Sequence, residues 1–372
     1  MAANIEIRKI NGIDVASFAE NGKKERAWHN LGDDQQIFDR PMFVMEALKA
    51  CHADFKVQMQ PVAVLTDDIL EAMKNGTQID ASVLQSLLID NTKATMRTDY
   101  NESLGIVSDK YGIVQNEDAF KFVDTLCSGK WFERDNTPVI ETCGVLGKGE
   151  RVFVTAKMPE DIIIDAKHDD RIETYIIFTT SHDGSGAVKC CVTNVRVVCE
   201  NTLRWALKSN SGMLSLRHGS NIMNRLDLMN TENAEFAMKA LNLYTDYETH
   251  FKDALEHLKT IKVNETQLDK VIADIALSEE CAKIFAETKN IYHEDIKTRG
   301  RNIFLGIKEA VHGGIGQDIL QTGNALWVMN GITSYYQNNA NYKDNETKFN
   351  TIMEGNVAKK VQKAYDTLLL AA

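Results

Sequence analysis

Proline is scarce in this sequence, with four residues among 372, so long extended linkers are not expected. No run of roughly 18 apolar residues occurs, which argues against a membrane-spanning helix. Residues 1–32 contain no apolar stretch of the kind that a secretory signal needs. We therefore expect the protein to act in the cytoplasm, without contact with a membrane.

Cysteine pairs suited to metal binding are also lacking. The seven cysteines stand at positions 51, 127, 143, 190, 191, 199 and 281, and no two form a C-x-x-C pair. Their number is odd and several lie in apolar, strand-like runs, which is typical of reduced, buried thiols. We expect no structural metal site and no cofactor.

Positive charge is in the minority, because 42 Lys and Arg stand against 53 Asp and Glu, for a net charge of -11. This balance argues against attraction of nucleic acid to the whole surface, but it allows a local basic groove. One stretch reverses the balance. Between residues 189 and 225 the only acid is Glu200, and the basic residues are Lys189, Arg196, Arg204, Lys208, Arg217 and Arg225.

The central part of the sequence has strand periodicity. Alternating apolar and polar residues around Gly-containing turns predict two adjacent antiparallel hairpins, over 138–158 and 172–199. Asn201 and Thr202 are suited to cap a helix directly after the second hairpin. The sequence therefore predicts an α+β fold, with an antiparallel β-hairpin sheet followed by a helix and with a helical C-terminal third.

The parts of the sequence before and after the two hairpins also have regular patterns. Before the hairpins we predict a helix in "RPMFVMEALKACH", a strand at 61–66, two helices within 67–91, strands on both sides of a turn at 108–110, and a helix capped by Asn116. After them, residues 232–262 have the apolar spacing of one long helix. We predict an α+β core domain over 1–230 and a helical region over 231–372, which builds a homo-oligomer or regulates access.

Several segments resemble an uncharacterised family found in phages and plasmids, the domain of unknown function 932. They are "AWHNLG" near residue 28, "LGIVSDKYGIVQNEDAF" from 104, "ETCGVLGKGERVFV" from 141, "SHDGSGAVKCCVTNVRVVCENTL" from 181 and "NALWVMNGITSYYQ" from 324. The resemblance implies an origin in a mobile element and assigns no chemistry. Residues 334–338, "SYYQN", stand where the family often has an acidic residue, then Tyr, then Asp-His.

A second resemblance is architectural. Single-strand annealing proteins of the Rad, Erf and Red-beta kinds have a β-hairpin sheet followed by a helix, and basic residues near that junction line a DNA groove. The stretch "VRVVCENTLRWALK" has a similar layout. Since one fold hosts many functions, the similarity implies a function only by analogy.

The basic stretch is the candidate site. Arg204 and Lys208 share one face of the predicted helix, where like charges are unfavourable unless an anion lies opposite. Phosphates suit such a surface, and Trp205 has the chemistry to stack on a base. The candidate nucleic-acid-binding residues are Lys189, Arg196, Arg204, Trp205, Lys208, Arg217 and Arg225. One alternative is that these charges form ion pairs with acids elsewhere and that Trp205 packs in the core. Another is that the cluster binds an anion of another kind.

Three other motifs carry weaker indications. "SHDGSG" is typical of a hairpin turn, although His182 and Asp183 can also share a metal or a proton. "AWHNLG" favours a buried Trp beside a hydrogen-bonded His over a catalytic His. "GKGERVF" lacks the P-loop pattern. Cys199 precedes a predicted helix, but no His stands near it in the sequence and its register indicates burial.

The leading hypothesis is therefore a non-enzymatic protein of a phage or plasmid that binds single-stranded DNA and anneals it during recombination. We expect contacts to backbone phosphates without sequence readout, and we assign no catalytic or metal-binding residue. The first alternative is a phage protein that binds a host factor. The second is an uncharacterised enzyme that uses His182 and Asp183.

Overall fold

The structure is a computed structural model that describes residues 15–18, 35–127, 137–168, 170–196, 201–203, 213–222, 234–353 and 355–370. The strands in these residues are β1 (Val15–Phe18), β2 (Gln35–Phe38), β3 (Val57–Ala63), β4 (Leu88–Arg97), β5 (Glu102–Ser108), β6 (Val139–Leu146), β7 (Arg151–Lys157), β8 (Ile162–Asp165), β9 (Asp170–Ser181), β10 (Val188–Arg196), β11 (Asn201–Leu203) and β12 (Met213–Leu216). The helices are α1 (Val44–Ala50), α2 (Asp67–Lys74), α3 (Ala81–Ser86), α4 (Asn116–Leu126), α5 (Ala234–Thr260), α6 (Glu265–Ala276), α7 (Glu279–Thr288), α8 (Thr298–Gly313), α9 (Ala325–Ser334), α10 (Asn345–Met353) and α11 (Asn356–Leu369).

A large, mostly antiparallel sheet forms the centre of the fold. Its strand order is β11-β10-β9-β7-β6-β1-β2, with β12 also paired to β10 and β8 also paired to β9. The two predicted hairpins, β6–β7 and β9–β10, are joined by antiparallel pairing of β7 with β9. This confirms both hairpins, their adjacency and the α+β class. Strands β1 and β2 pair in parallel.

Both faces of the central strand β9 are buried. Ile176 and Phe178 belong to the main apolar cluster, where the Phe178 ring meets Phe122 of α4 edge-to-face at 4.9 Å. Tyr175 and Ile177 point to the opposite face and belong to a smaller cluster. On that face Phe153 of β7 stacks on Phe349 of α10 at 5.2 Å. Because successive strand residues alternate between faces, odd-numbered positions of β7, β9 and β10 share this second face.

A second, three-stranded antiparallel sheet, β3-β4-β5, lies against the turns of the two hairpins. Thr95 Oγ1 of β4 donates to the carbonyl of His182 at 2.6 Å, and Arg97 donates to the carbonyl of Lys148 at 2.5 Å. Gly105 of β5 lies so close to Asp183 that a Cβ at residue 105 would stand 2.5 Å from its Cα. The small sheet is thereby tied to the loop after β9.

Two predictions before the hairpins are wrong in part. The end of the range assigned to helices, from Leu88, begins strand β4, because the backbone there pairs with both β3 and β5. The second strand predicted after the 108–110 turn does not form. Instead the side-chain amide of Gln115 accepts from the backbone N–H of Val57 and donates to its carbonyl, both at 2.9 Å, so a side chain takes the place of a strand neighbour.

The helix predicted to begin near Asn201 is also wrong at its start. Asn201–Leu203 form strand β11, paired antiparallel with Asn194, Val195 and Arg196. The reason is that β10 would otherwise leave backbone N–H and C=O groups unpaired at this end, and a returning strand satisfies them. Residues 204–212 lie outside the described part of the chain.

The helical C-terminal third is as predicted, including the long helix α5, the shorter pair α6 and α7, and the end of α8 at Gly313-Gly314. The apolar residues that suggested self-association of α5, among them Tyr244, Phe251 and Leu255, are buried within the chain's own core. Homo-oligomerisation therefore stays a prediction without that support. The division at residue 230 also stays a prediction.

Two composition-based expectations can be compared with the described residues. None of the described helices is both long enough and apolar enough to cross a membrane. Cysteines 51, 143, 190, 191 and 281 are buried and Cys127 is half-buried, which confirms the prediction of buried thiols for the first five. Cys199 lies outside the described residues.

Candidate functional site

Two of the predicted basic residues lie at the same end of the large sheet. Lys189 of β10 pairs with Thr179 of β9 on one side and with Ser215 of β12 on the other. Arg217 follows directly after β12, two residues beyond Ser215, and is exposed. Strand pairing thus brings together two cations that are 28 positions apart in the sequence. We call Lys189 and Arg217 the basic edge.

The other predicted residues do not join the basic edge in the described part of the chain. Arg196 pairs with Ile172 and Asn201 at the opposite end of β10. It is seven residues from Lys189, or about 23 Å along a strand. Arg204, Trp205, Lys208 and Arg225 lie outside the described residues. Their assignment as nucleic-acid-binding residues stays a prediction.

One arginine that the sequence reasoning missed lies at this same end of the sheet. Arg151 begins β7, stands opposite Ser181 of β9, and is only 9% exposed. Its Nε atom and the Oγ atom of Ser181 are buried and have no hydrogen-bond partner. The sequence signal for Arg151 is weak, since it stands in "GKGERVF", which lacks the P-loop pattern.

The loop of the second hairpin is a turn, as the sequence indicated. Asp183 Oδ1 accepts from the backbone N–H and the hydroxyl of Ser185, at 2.9 and 2.8 Å, and Gly184 has a φ of +82°. Short polar side chains that bond two residues ahead are typical of such turns. The carboxylate of Asp183 is therefore engaged in holding the loop.

His182, in contrast, is fully buried beneath this loop. Asn116 of α4 donates through Nδ2 to the carbonyl of Ala53 at 2.7 Å, so its Oδ1 faces His182 Nε2 at 2.8 Å. Since Oδ1 can only accept, Nε2 carries the proton, and Nδ1 is buried without a partner. The Asn116 side chain thus orients an imidazole, where the sequence suggested a helix cap.

The environment of His182 keeps the imidazole neutral. Burial, followed by the nearby positive charges of His218 and Arg97, lowers its pKa to about 3. A general acid or base works best with a pKa near the operating pH, so this residue is poorly suited to proton transfer at pH 7. The His182–Asp183 pair therefore holds the small sheet, helix α4 and the hairpin together.

Two aromatic rings connect this junction to the basic edge. Tyr111 donates to the carbonyl of Ser181 at 2.9 Å, and its ring stacks on His218 at a centroid distance of 4.8 Å. His218 Nδ1 donates to the carbonyl of Gly112 at 3.0 Å. Because His218 is the neighbour of Arg217, these contacts fix the backbone that carries the exposed guanidinium.

The most perturbed carboxyl group lies at the other end of the second face. The Tyr175 hydroxyl is 2.6 Å from Glu173 and 3.1 Å from Glu141. Burial and the charge of Glu173 raise the pKa of Glu141 to about 8, while Lys157 opposes the shift. The phenol has one proton, so it donates to Glu173, which also pairs with Lys157 at 2.5 Å. Glu141 is then the protonated partner.

Neither end of the sheet has the composition of a metal site. No group of three or more His, Cys, Asp or Glu residues suited to hold a metal ion occurs in the part of the chain that the structure describes. The glycines of "GKGERVF" form the β6–β7 turn, with positive φ at Gly147 and Gly149. "AWHNLG" lies outside the described residues. In the last family segment, Tyr335–Asn339 form a π-helical turn with Tyr336 and Gln337 buried.

The described site therefore offers positive charge at one end of a sheet and a buried, neutral polar junction beneath it. Such an arrangement can bind an anion. In comparisons with known proteins, the profile of the domain of unknown function 932 matches residues 103–359. No curated protein and no solved structure matches the chain.

Proposed function

The chain belongs to the family of the domain of unknown function 932, and from its basic edge we propose that it binds single-stranded nucleic acid through backbone phosphates. The proposal is non-enzymatic. It has the protein bind and anneal single-stranded DNA during recombination of a phage or plasmid, in the cytoplasm of a bacterial cell, as a homo-oligomer.

The observation that carries this proposal is the convergence of Lys189 and Arg217 beside Ser215. Two cations on neighbouring β-strands can contact successive phosphates of a flexible nucleic-acid strand. Each neutralised phosphate releases counterions, and this release favours binding. Phosphate contacts position a ligand without reading its sequence. With a net charge of -11, acids elsewhere on the protein repel nucleic acid and restrict its binding to the basic edge.

We expect the double variant Lys189→Gln, Arg217→Gln to bind single-stranded DNA more weakly, and to a similar extent for unrelated sequences. The measurement is fluorescence anisotropy with oligo(dT) and with a mixed-sequence oligonucleotide at several salt concentrations. The slope of log affinity against log salt should become shallower by about 0.7 for each lost phosphate contact. The same kind of loss is expected for charge reversal of Arg204 and Lys208 together.

A matched control removes two positive charges elsewhere. Arg40 and Lys283 are exposed, pair with Glu46 and Glu279, and lie on other elements. The double variant Arg40→Gln, Lys283→Gln should retain the wild-type salt slope. If both double variants lose the same amount of DNA affinity, the loss comes from the change in net charge, and the basic edge is not a specific binding site. A folded wild type that binds no DNA at low salt would exclude the proposed function altogether.

A second candidate function, binding of a protein partner such as a host factor, is favoured by a specific surface. Exposed large apolar residues recur from the end of β3 to β5: Val64, Leu65, Leu70, Met73, Val83, Leu84, Ile89 and Ile106. Exposed apolar patches often mark interaction surfaces. The DNA-binding experiment separates the two functions, because Met73→Glu, Ile106→Glu should leave DNA affinity unchanged and abolish capture of a protein partner.

A further inference from the structure

Arg151 lacks a counter-charge within the described part of the chain. Among the described residues it forms no salt bridge, and its buried Nε has no hydrogen-bond partner. Arg97, also buried, is satisfied by contrast: it binds both carboxylate oxygens of Asp99 at 2.8 and 2.7 Å and lies over the Phe55 ring. A buried, uncompensated charge destabilises a fold, so its presence calls for a partner outside the described residues.

Ser181 places a second unsatisfied group beside this guanidinium. It stands opposite Arg151 in the β7–β9 ladder, is 1% exposed, and leaves its hydroxyl without a partner. A buried hydroxyl in this state is unfavourable unless a ligand completes its hydrogen bonds. A cation and a hydroxyl donor side by side are complementary to an oxyanion.

The hairpin loop closes over both groups at a glycine. A Cβ added to Gly186 would stand 2.6 Å from Ser181 Oγ and 3.4 Å from Arg151 Nη2. Any larger side chain at residue 186 would therefore fill the space above these two donors. The glycine keeps the loop backbone close to them and leaves the guanidinium edge unobstructed by a side chain.

We propose that Arg151 and Ser181 form a binding site for a phosphate-type oxyanion. Guanidinium groups favour phosphate because their planar N–H donors can bind two oxygens at once. The inference deepens the proposed function, since Arg151 and the basic edge lie at the same end of one sheet face and a nucleic-acid phosphate is one source of the oxyanion. The other source is a free phosphate compound.

The test uses inorganic phosphate as the probe and thermal unfolding as the readout. In phosphate-free buffer Arg151→Met should raise the melting temperature, by about 3 °C, because it removes an uncompensated buried charge. Millimolar phosphate, at ionic strength held constant with chloride, should raise the melting temperature of the wild type and leave that of Arg151→Met unchanged. Ser181→Ala should retain the fold and weaken phosphate binding several-fold.

Arg171 is the matched control. It lies on the adjacent strand β9 and pairs with Asp161 at 3.1 Å, so Arg171→Met should lower the melting temperature and leave the response to phosphate intact. If Arg151→Met lowers the melting temperature and both proteins respond equally to phosphate, Arg151 is structural and the site is excluded. The site is also excluded if neither phosphate nor oligonucleotide raises the melting temperature of the wild type.

An oligonucleotide arm separates this inference from the proposed function. If both inorganic phosphate and oligo(dT) stabilise the wild type and neither stabilises Arg151→Met, the oxyanion site belongs to a nucleic-acid-binding surface. If phosphate acts through Arg151 and oligo(dT) does not, the oxyanion site stands and its ligand is a free phosphate compound. The proposed function is then decided separately, by whether the wild type binds oligo(dT) in the anisotropy experiment.

Discussion

Glu141→Gln is expected to make the protein more stable than the wild type at pH 8 and to leave its stability unchanged near pH 4.5. The pKa of Glu141 is about 8 in the fold, against 4.5 for an ordinary glutamate. Between these values the folded protein holds a proton that the unfolded chain has released. Stability therefore falls as the pH rises through this window, by up to about 1.4 kcal/mol per pH unit, and levels off above pH 8.

Glutamine reproduces the protonated state without this penalty. Its amide can donate to the Tyr175 hydroxyl, which continues to donate to Glu173. Urea unfolding of the wild type and of Glu141→Gln at pH 5, 6, 7, 8 and 9 measures the difference directly. Glu256, an exposed residue of α5 paired with Lys259, provides the control, because Glu256→Gln should show no such trend. A pH-independent difference for Glu141→Gln would contradict a buried, protonated carboxyl.

Gly105→Ala is expected to destabilise the protein strongly. The added methyl group would stand 2.5 Å from the Cα and 2.6 Å from the carbonyl oxygen of Asp183. Both are backbone atoms that cannot rotate away, so the loop after β9 must withdraw from the small sheet. This movement of the loop would also strain the hydrogen bond from Thr95 to the His182 carbonyl. We expect a loss of about 3 kcal/mol, at the upper end for overpacked sites.

The comparison is Gly313→Ala, because a Cβ at residue 313 meets no atom within 4 Å. That variant should match the wild type or exceed it slightly, since alanine favours a helix. Urea unfolding gives both free energies. A Gly105→Ala protein as stable as the wild type would show that the small sheet is not held against the hairpin loop as described.

Much of the fold could be predicted because its signals are local. The β6–β7 and β9–β10 hairpins follow from alternation around Gly147, Gly149, Gly184 and Gly186, and the spacing of Tyr244, Phe251 and Leu255 is that of one helix face. Residues 88–91 and Asn201–Leu203 were assigned to helices, because their strand character depends on partners elsewhere in the chain. Pairing with a distant strand overrides local propensity.

The candidate site was predictable only where charge was clustered along the sequence. The stretch containing Lys189 and Arg217 could be identified from its lack of acids. Arg151 could not, because an arginine in a hairpin usually lies in solvent, and its burial depends on Ser181 and the loop at Gly186. The raised pKa of Glu141 was equally hidden, since burial and Glu173, 32 positions away, cause it.

By itself the sequence determined the class of fold, the two hairpins, most of the helices and the location of excess positive charge, because periodicity and composition act over a few residues at a time. Tertiary structure alone decided which charges share an end of the sheet and which are buried. It also determined that His182 is neutral and that Gly105 must carry no side chain. The physical reason is that burial and electrostatic environment depend on neighbouring residues in space. Strand pairing brings these neighbours together from positions that are far apart in the sequence, where no local pattern connects them.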